Sequence, residues 1–192
     1  MILLFMEVVN MTKSHVNNSS RIRKMTQLSL FLAIGIILNI VESMIPLPIS
    51  IPGVKLGLAN TIGLIVLYYY SPKEYISIGF LRVLLVGLLR TGIFSISFLL
   101  SFSGWLLSSL IALILYKTKI FSIYGLSCSS AVFHGVGQMI VVMMIYNTYG
   151  LIMYLPVLMI TGVVTGILTS FASSLVLSKL DKHIKFVAPV KE

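Results

Sequence analysis

The sequence predicts an all-α integral membrane protein, a bundle of six transmembrane helices with both termini cytoplasmic. Three observations carry that prediction. Of the 192 residues, 58% are hydrophobic and 10% charged, against roughly 25% charged in soluble domains. A mean hydropathy of +1.05 describes more apolar surface than a water-soluble globule can hide. Apolar runs of about 20 residues, enough to cross a hydrocarbon core of roughly 30 Å, recur from Thr26 to the neighbourhood of Lys179. Residues 1–25 then form a basic N-terminal arm, 26–180 the membrane domain and 181–192 a basic tail.

The elements follow in order. "MILLFMEVVN" is apolar but too short to span, and it lacks the basic front and the cleavage site of a signal peptide. Met11 is a candidate start, and "TKSHVNNSSRIRK" reads as a polar, basic, flexible arm. The first helix runs from about Thr26 to Ile45. "IPLPIS" is a stiff external connection, and the "PG" after it starts a second helix from about Val54 to Tyr70, which "SPKE" ends. The third helix covers about Glu74 to Leu89 and the fourth about Ile96 to Tyr116. "TGIFSIS" separates them weakly, but merging them would give about 43 residues, too long for one crossing. The fifth runs from about Ser122 to Tyr146, "NTYG" turns the chain, and the sixth runs from about Leu151 to Leu177.

The net charge of +9 argues for orientation rather than nucleic acid in so apolar a chain. With the N-terminus inside, eleven of the fourteen Lys and Arg residues fall in cytoplasmic segments. The remaining cations are Lys55, Arg82 and Arg90, inside spans or at their outer ends. Cys128 stands alone, so no intramolecular disulfide forms.

That orientation gives every intramembrane polar group a depth, at about 1.5 Å per residue. Asn39 and Glu42 lie three apart on one face of the first helix, and Lys55 and Asn60 lie at the start of the second. Arg82 sits near mid-membrane and Arg90 near the outer end of the third. His134 and Gln138 share a face of the fifth, four residues apart. Ionisable groups at bilayer depth cost several kcal/mol unless they face a partner or a wet cavity. Glu42, Lys55, Asn60, Arg90, His134 and Gln138 therefore form a candidate substrate site, open to the outside and suited to an anionic or polar ligand. The plainer reading makes Glu42 a structural clamp for Lys55 or Arg90, with Arg82 snorkelling or capping carbonyls and Trp105 anchoring at the headgroups. Gly162, Gly166 and Ser170 recur every four residues, a stripe for internal helix packing. Ser29 and Ala33 repeat that spacing near the cytoplasmic end, where docking to another membrane protein competes with packing.

Catalytic constellations are missing. The acids are Glu7, Glu42, Glu74, Asp181 and Glu192, no two at one site, whereas metal-dependent diphosphate chemistry needs clustered carboxylates. Neither a phosphate-binding GxxxxGK[ST] loop nor a GxSxG nucleophile turn occurs. The expectation is a protein that is not an enzyme and uses no metal or cofactor.

"PGVKLGLAN" (Pro52 to Asn60), "RVLLVGLLRTG" (Arg82 to Gly92), "SFSGWLLS" (Ser101 to Ser108) and "FHGVGQ" (Phe133 to Gln138), in that order, resemble the Gx transporter family. That family is often labelled heptaprenyl diphosphate synthase component I. Its six-helix plan is similar to the S-components of energy-coupling factor transporters. The resemblance implies a plasma-membrane subunit that captures a vitamin-like molecule and docks on a transmembrane coupling subunit driven by two ATPase subunits. It implies docking through small residues such as Ser29 and Ala33, where alanine at both positions is usual. Gly135 stands where the resemblance implies asparagine, which implies altered specificity. The rival expectation is a membrane accessory subunit of a prenyl or quinone-synthesis complex.

Overall fold

A computed structural model describes residues 2–44 and 57–184, with side chains from 21–44 and 57–179. Its described elements are six α-helices: α1 (Ile2–Met44), α2 (Leu58–Tyr69), α3 (Pro72–Val86), α4 (Ile96–Thr118), α5 (Ile123–Tyr146) and α6 (Leu155–Ile184). A π-helical turn, Gly87–Thr91, follows α3, and a 3₁₀ turn, Tyr149–Tyr154, precedes α6.

The N-terminal arm differs from expectation. Its backbone is helical and continuous with the first span, making α1 43 residues long. No proline or glycine occurs from Ile2 to Ile34, so nothing interrupts the hydrogen-bond ladder.

Among the described residues, four segments are long and apolar enough to cross a membrane: Arg21–Met44, Ile96–Thr118, Ile123–Tyr146 and Tyr149–Lys179. The second and third expected spans are shorter. With 12 residues, α2 reaches only about 18 Å at 1.5 Å per residue. Its burial explains how so short a helix is tolerated: Ala59, Thr61, Ile62 and Leu64 to Leu67 are all buried, among α1, α3 and α6. Backbone at membrane depth needs such protein cover when it cannot span. The start expected at Val54 lies outside the described residues. Gly57, with a left-handed φ of 79°, immediately precedes the helix.

Local chemistry sets the other boundaries. Pro72 occupies the first turn of α3, where its missing N–H costs nothing. Gly92, at φ 83°, ends the π turn, and the Ser95 hydroxyl caps α4 by accepting the Phe98 N–H at 3.1 Å. The weak break between the third and fourth helices is thus a true one. Lys119 and Asn147 close α4 and α5 in left-handed conformations. At this end of the bundle Lys24 pairs with Glu74 at 2.5 Å, and the Tyr70 hydroxyl donates to Gln27 Oε1 at 2.7 Å, tying α1 to the turn between α2 and α3.

The most extensive packing joins α4 to α5 and α5 to α6. Glycines make it close: a Cβ added at Gly162 would lie 3.0 Å from Val132 Cα, and one at Gly137 would lie 2.7 Å from Ser103 O. Hydroxyls stitch α5 to α6, Ser127 to Thr169 at 2.8 Å, and α6 to α2, Ser173 to the Thr61 carbonyl at 3.3 Å. Polarity is inverted relative to a soluble protein. Glu42, Arg82, Gln138 and Ser170 are buried, while Phe94, Met153, Ile160 and Phe171 are exposed. Apolar outward faces over a polar interior are what a multi-pass membrane protein presents to lipid.

A Cβ at Gly166 would fall 2.5 Å from Cys128 Cα, a backbone atom that cannot step aside cheaply. Gly166→Ala is expected to cost ~2 kcal/mol, read as a lower thermal midpoint in detergent. Gly150→Ala, with nothing within 4 Å, is expected to leave the midpoint unchanged.

Candidate functional site

The first turn of α2 organises the polar interior. Glu42, in the last turn of α1, accepts a hydrogen bond from the Gly57 N–H. Gly57 suits that position because of its positive φ, and because an added Cβ would press on Thr169 Cγ2 at 3.0 Å. Arg82 approaches the same turn from α3. Its Nη1 donates to the Ala59 carbonyl and its Nη2 to Asn60 Oδ1 at 3.2 Å. The stem of Arg82 runs past Gly35 of α1, where an added Cβ would sit 3.5 Å from Arg82 Cδ. Capping a carbonyl is thus the part of the sequence reading that Arg82 fulfils; it is 8% exposed and does not snorkel.

Two adjoining cavities open around this turn. The larger, about 70 Å³, is lined by residues that include Asn39, Glu42, Asn60, Arg82, Trp105 and His134. The smaller, about 30 Å³, is lined by the same Asn60, Arg82 and Trp105 together with hydroxyl residues, among them Tyr75, Ser108, Ser127, Ser130 and Thr169. Arg82, Asn60 and Trp105 therefore form the wall between a charged chamber and a hydroxyl-lined one. Trp105 is buried in the bundle instead of anchoring at an interface. Its ring sits between Phe80 and Phe102, with centroids 5.9 and 5.8 Å away, against the bare surface of Gly79.

The sequence-predicted residues divide. Glu42, Asn60 and His134 meet at the larger cavity. Gln138 shares the His134 face of α5, and both pack on Gly104 of α4, where an added Cβ would lie 2.8 Å from the imidazole and 2.9 Å from Gln138 Cγ. Gln138 is buried but lines neither cavity. Arg90 is exposed in the π turn and lines neither. It lies eight residues beyond Arg82, in the π-helical turn that follows α3. Lys55 lies outside the described residues, as does the stiff external connection "IPLPIS". Ser29 and Ala33 are exposed on the outward face of α1. Gly135 lines the larger cavity, and an added Cβ there makes ordinary contact with Leu158 at 3.6 Å, so the missing side chain enlarges the chamber.

Sequence reasoning left out the hydroxyl chamber. Its signal was present as Ser127 and Ser130 on α5 and Thr165 and Thr169 on α6, spaced three and four apart. Among the described residues no three His, Cys, Asp or Glu side chains converge to hold a metal ion. The arrangement can bind and orient a small polar molecule through charge and hydrogen bonds.

Trp105 is the chain's one tryptophan, so its fluorescence reports on the wall between the chambers. Gly79→Ala places a methyl group against the indole, and it is expected to displace the ring, raise acrylamide quenching and cost ~2 kcal/mol of stability.

A family model, heptaprenyl diphosphate synthase component I, matches residues 31–176. Neither a curated protein nor a solved structure matches the chain. The matched segment contains Glu42, Asn60, Arg82, Trp105 and His134 and both cavity linings, so this multi-pass membrane protein, with its polar chambers, belongs to the heptaprenyl diphosphate synthase component I family.

Proposed function

We propose that the chain is the substrate-capture subunit of an importer of the energy-coupling factor type, resembling an S-component, in the plasma membrane with both termini cytoplasmic. It takes a small anionic or polar, vitamin-like molecule from outside and performs no chemistry on it. The observation that carries this reading is the larger cavity, where Glu42, Asn60, Arg82 and His134 surround space inside an apolar bundle. Polar groups at such depth are costly and are retained where they serve a ligand or a pathway. The ligand is small, since pockets for drug-sized molecules measure roughly 300–1,000 Å³ and this one about 70 Å³.

The outward face of α1 supports the partner half of the proposal. Ser29 and Ala33 are exposed there, one turn apart, with Ile22, Ile37 and Val41 along the same side. A coupling subunit, itself driven by two ATPase subunits, docks on this face by close backbone approach.

The name of the family favours a second reading, a membrane accessory subunit of a heptaprenyl diphosphate synthase. Affinity purification separates the two. Recovery of a transmembrane coupling subunit with ATPases supports capture, and recovery of a soluble aspartate-rich synthase supports the rival. Native mass spectrometry of the purified protein is expected to show one bound small molecule. A protein that is empty, and that binds no candidate metabolite, overturns the capture reading.

Ala33→Leu adds bulk on an exposed face and is expected to leave folding and ligand binding unchanged. Recovery of the coupling subunit falls at least about tenfold, because small-residue contacts tolerate no added volume.

A further inference from the structure

We infer that the site selects a small zwitterion, an amino-acid-like molecule carrying one ammonium and one carboxylate, in preference to a simple anion. The inference rests on the capture reading and names its substrate class. The larger cavity has one carboxylate, Glu42, and one guanidinium, Arg82, among its described lining residues. Both are more than nine-tenths buried. Yet the two form no ion pair; among the described residues that contact belongs to Lys24 and Glu74.

Opposite charges buried together for structural reasons close on each other, since direct contact is their cheapest compensation. Glu42 and Arg82 are instead held apart by the backbone between them. The carboxylate is bonded to the Gly57 N–H, and the guanidinium to the Ala59 carbonyl and the Asn60 side chain. Gly57 and Asn60 are three residues apart, about 5 Å of helix rise. Arg82 Nε remains buried without a partner. The cavity thus presents a negative and a positive wall.

A zwitterion completes both walls, its ammonium toward Glu42 and its carboxylate toward Arg82. An anion alone meets the Glu42 carboxylate as a like charge, and a cation alone meets Arg82. The size of the cavity, about 70 Å³, restricts the ligand to a compact molecule.

The test uses the full chain in lipid nanodiscs. Binding is measured calorimetrically for the common amino acids, each beside its α-hydroxy acid and its decarboxylated amine; for L-serine these are L-glycerate and ethanolamine. At least one amino acid is expected to bind, with both analogues weaker by about tenfold or more. Glu42→Gln is expected to weaken the amino acid and to narrow its lead over the hydroxy acid. Arg82→Lys, which keeps the charge if Arg82→Gln does not fold, is expected to retain the preference at lower affinity. A hydroxy acid binding as tightly as its amino acid, or an unchanged preference in Glu42→Gln, overturns the inference and leaves capture of an anion standing. No binding from the panel, with an anionic or uncharged molecule found by native mass spectrometry, also overturns it alone. No binding and no co-purified molecule overturns the capture reading with it.

Discussion

The guanidinium of Arg82 sets the terms for everything around it. An arginine at the centre of a membrane helix costs about 2.5–3.5 kcal/mol on insertion scales, and here it is buried in protein. It is retained because the first turn of α2 supplies a carbonyl and an amide oxygen, at Ala59 and Asn60. That arrangement requires α2 to begin where it does, α3 to lie alongside it, and α1 to bare Gly35 for the arginine stem. One side chain thereby couples three helices, and its needs coincide with the location of the cavity.

A second constraint comes from the opposite side of the bundle. Gly137, Gly162 and Gly166 bring α4, α5 and α6 to backbone contact, which in a membrane is a main source of helix association, since lipid tails offer no hydrophobic drive between helices. The tight half positions His134, Ser127, Ser130 and Thr169 on a rigid frame facing the Arg82 half. Ser173, bonded to the Thr61 carbonyl, ties α6 to α2 across the join. The cavities lie where the two halves meet, as ligand sites between the helices of bundles commonly do.

The site at that junction has charges of both signs and a set of hydroxyls, and among the described residues no clustered acids. Its small volume, and the wall of Arg82, Asn60 and Trp105 between its chambers, make its shape depend on a few side chains whose places are set by helix packing.

Much of this was legible in the chain itself. Hydropathy alone determined the helical membrane class, because a run of apolar residues in a bilayer has no alternative to satisfying its backbone internally. Pro72, Gly92 and Asn147 determined breaks through backbone geometry. The spacing of Asn39 with Glu42, and of Gly162 with Gly166, determined shared faces. Only the tertiary structure decided which cation reaches the cavity. A sequence gives Arg82 and Arg90 similar credentials; in the structure Arg90 is exposed in the π turn, and the α2 turn captures Arg82. It likewise decided that Gln138 packs behind Gly104 and not in the chamber, that α2 is too short to span yet largely enclosed, and that scattered serines and threonines from three helices line one space. The reason is that periodicity along a chain specifies a depth and a face, whereas a site is made by which faces meet, and that depends on how closely the helices pack.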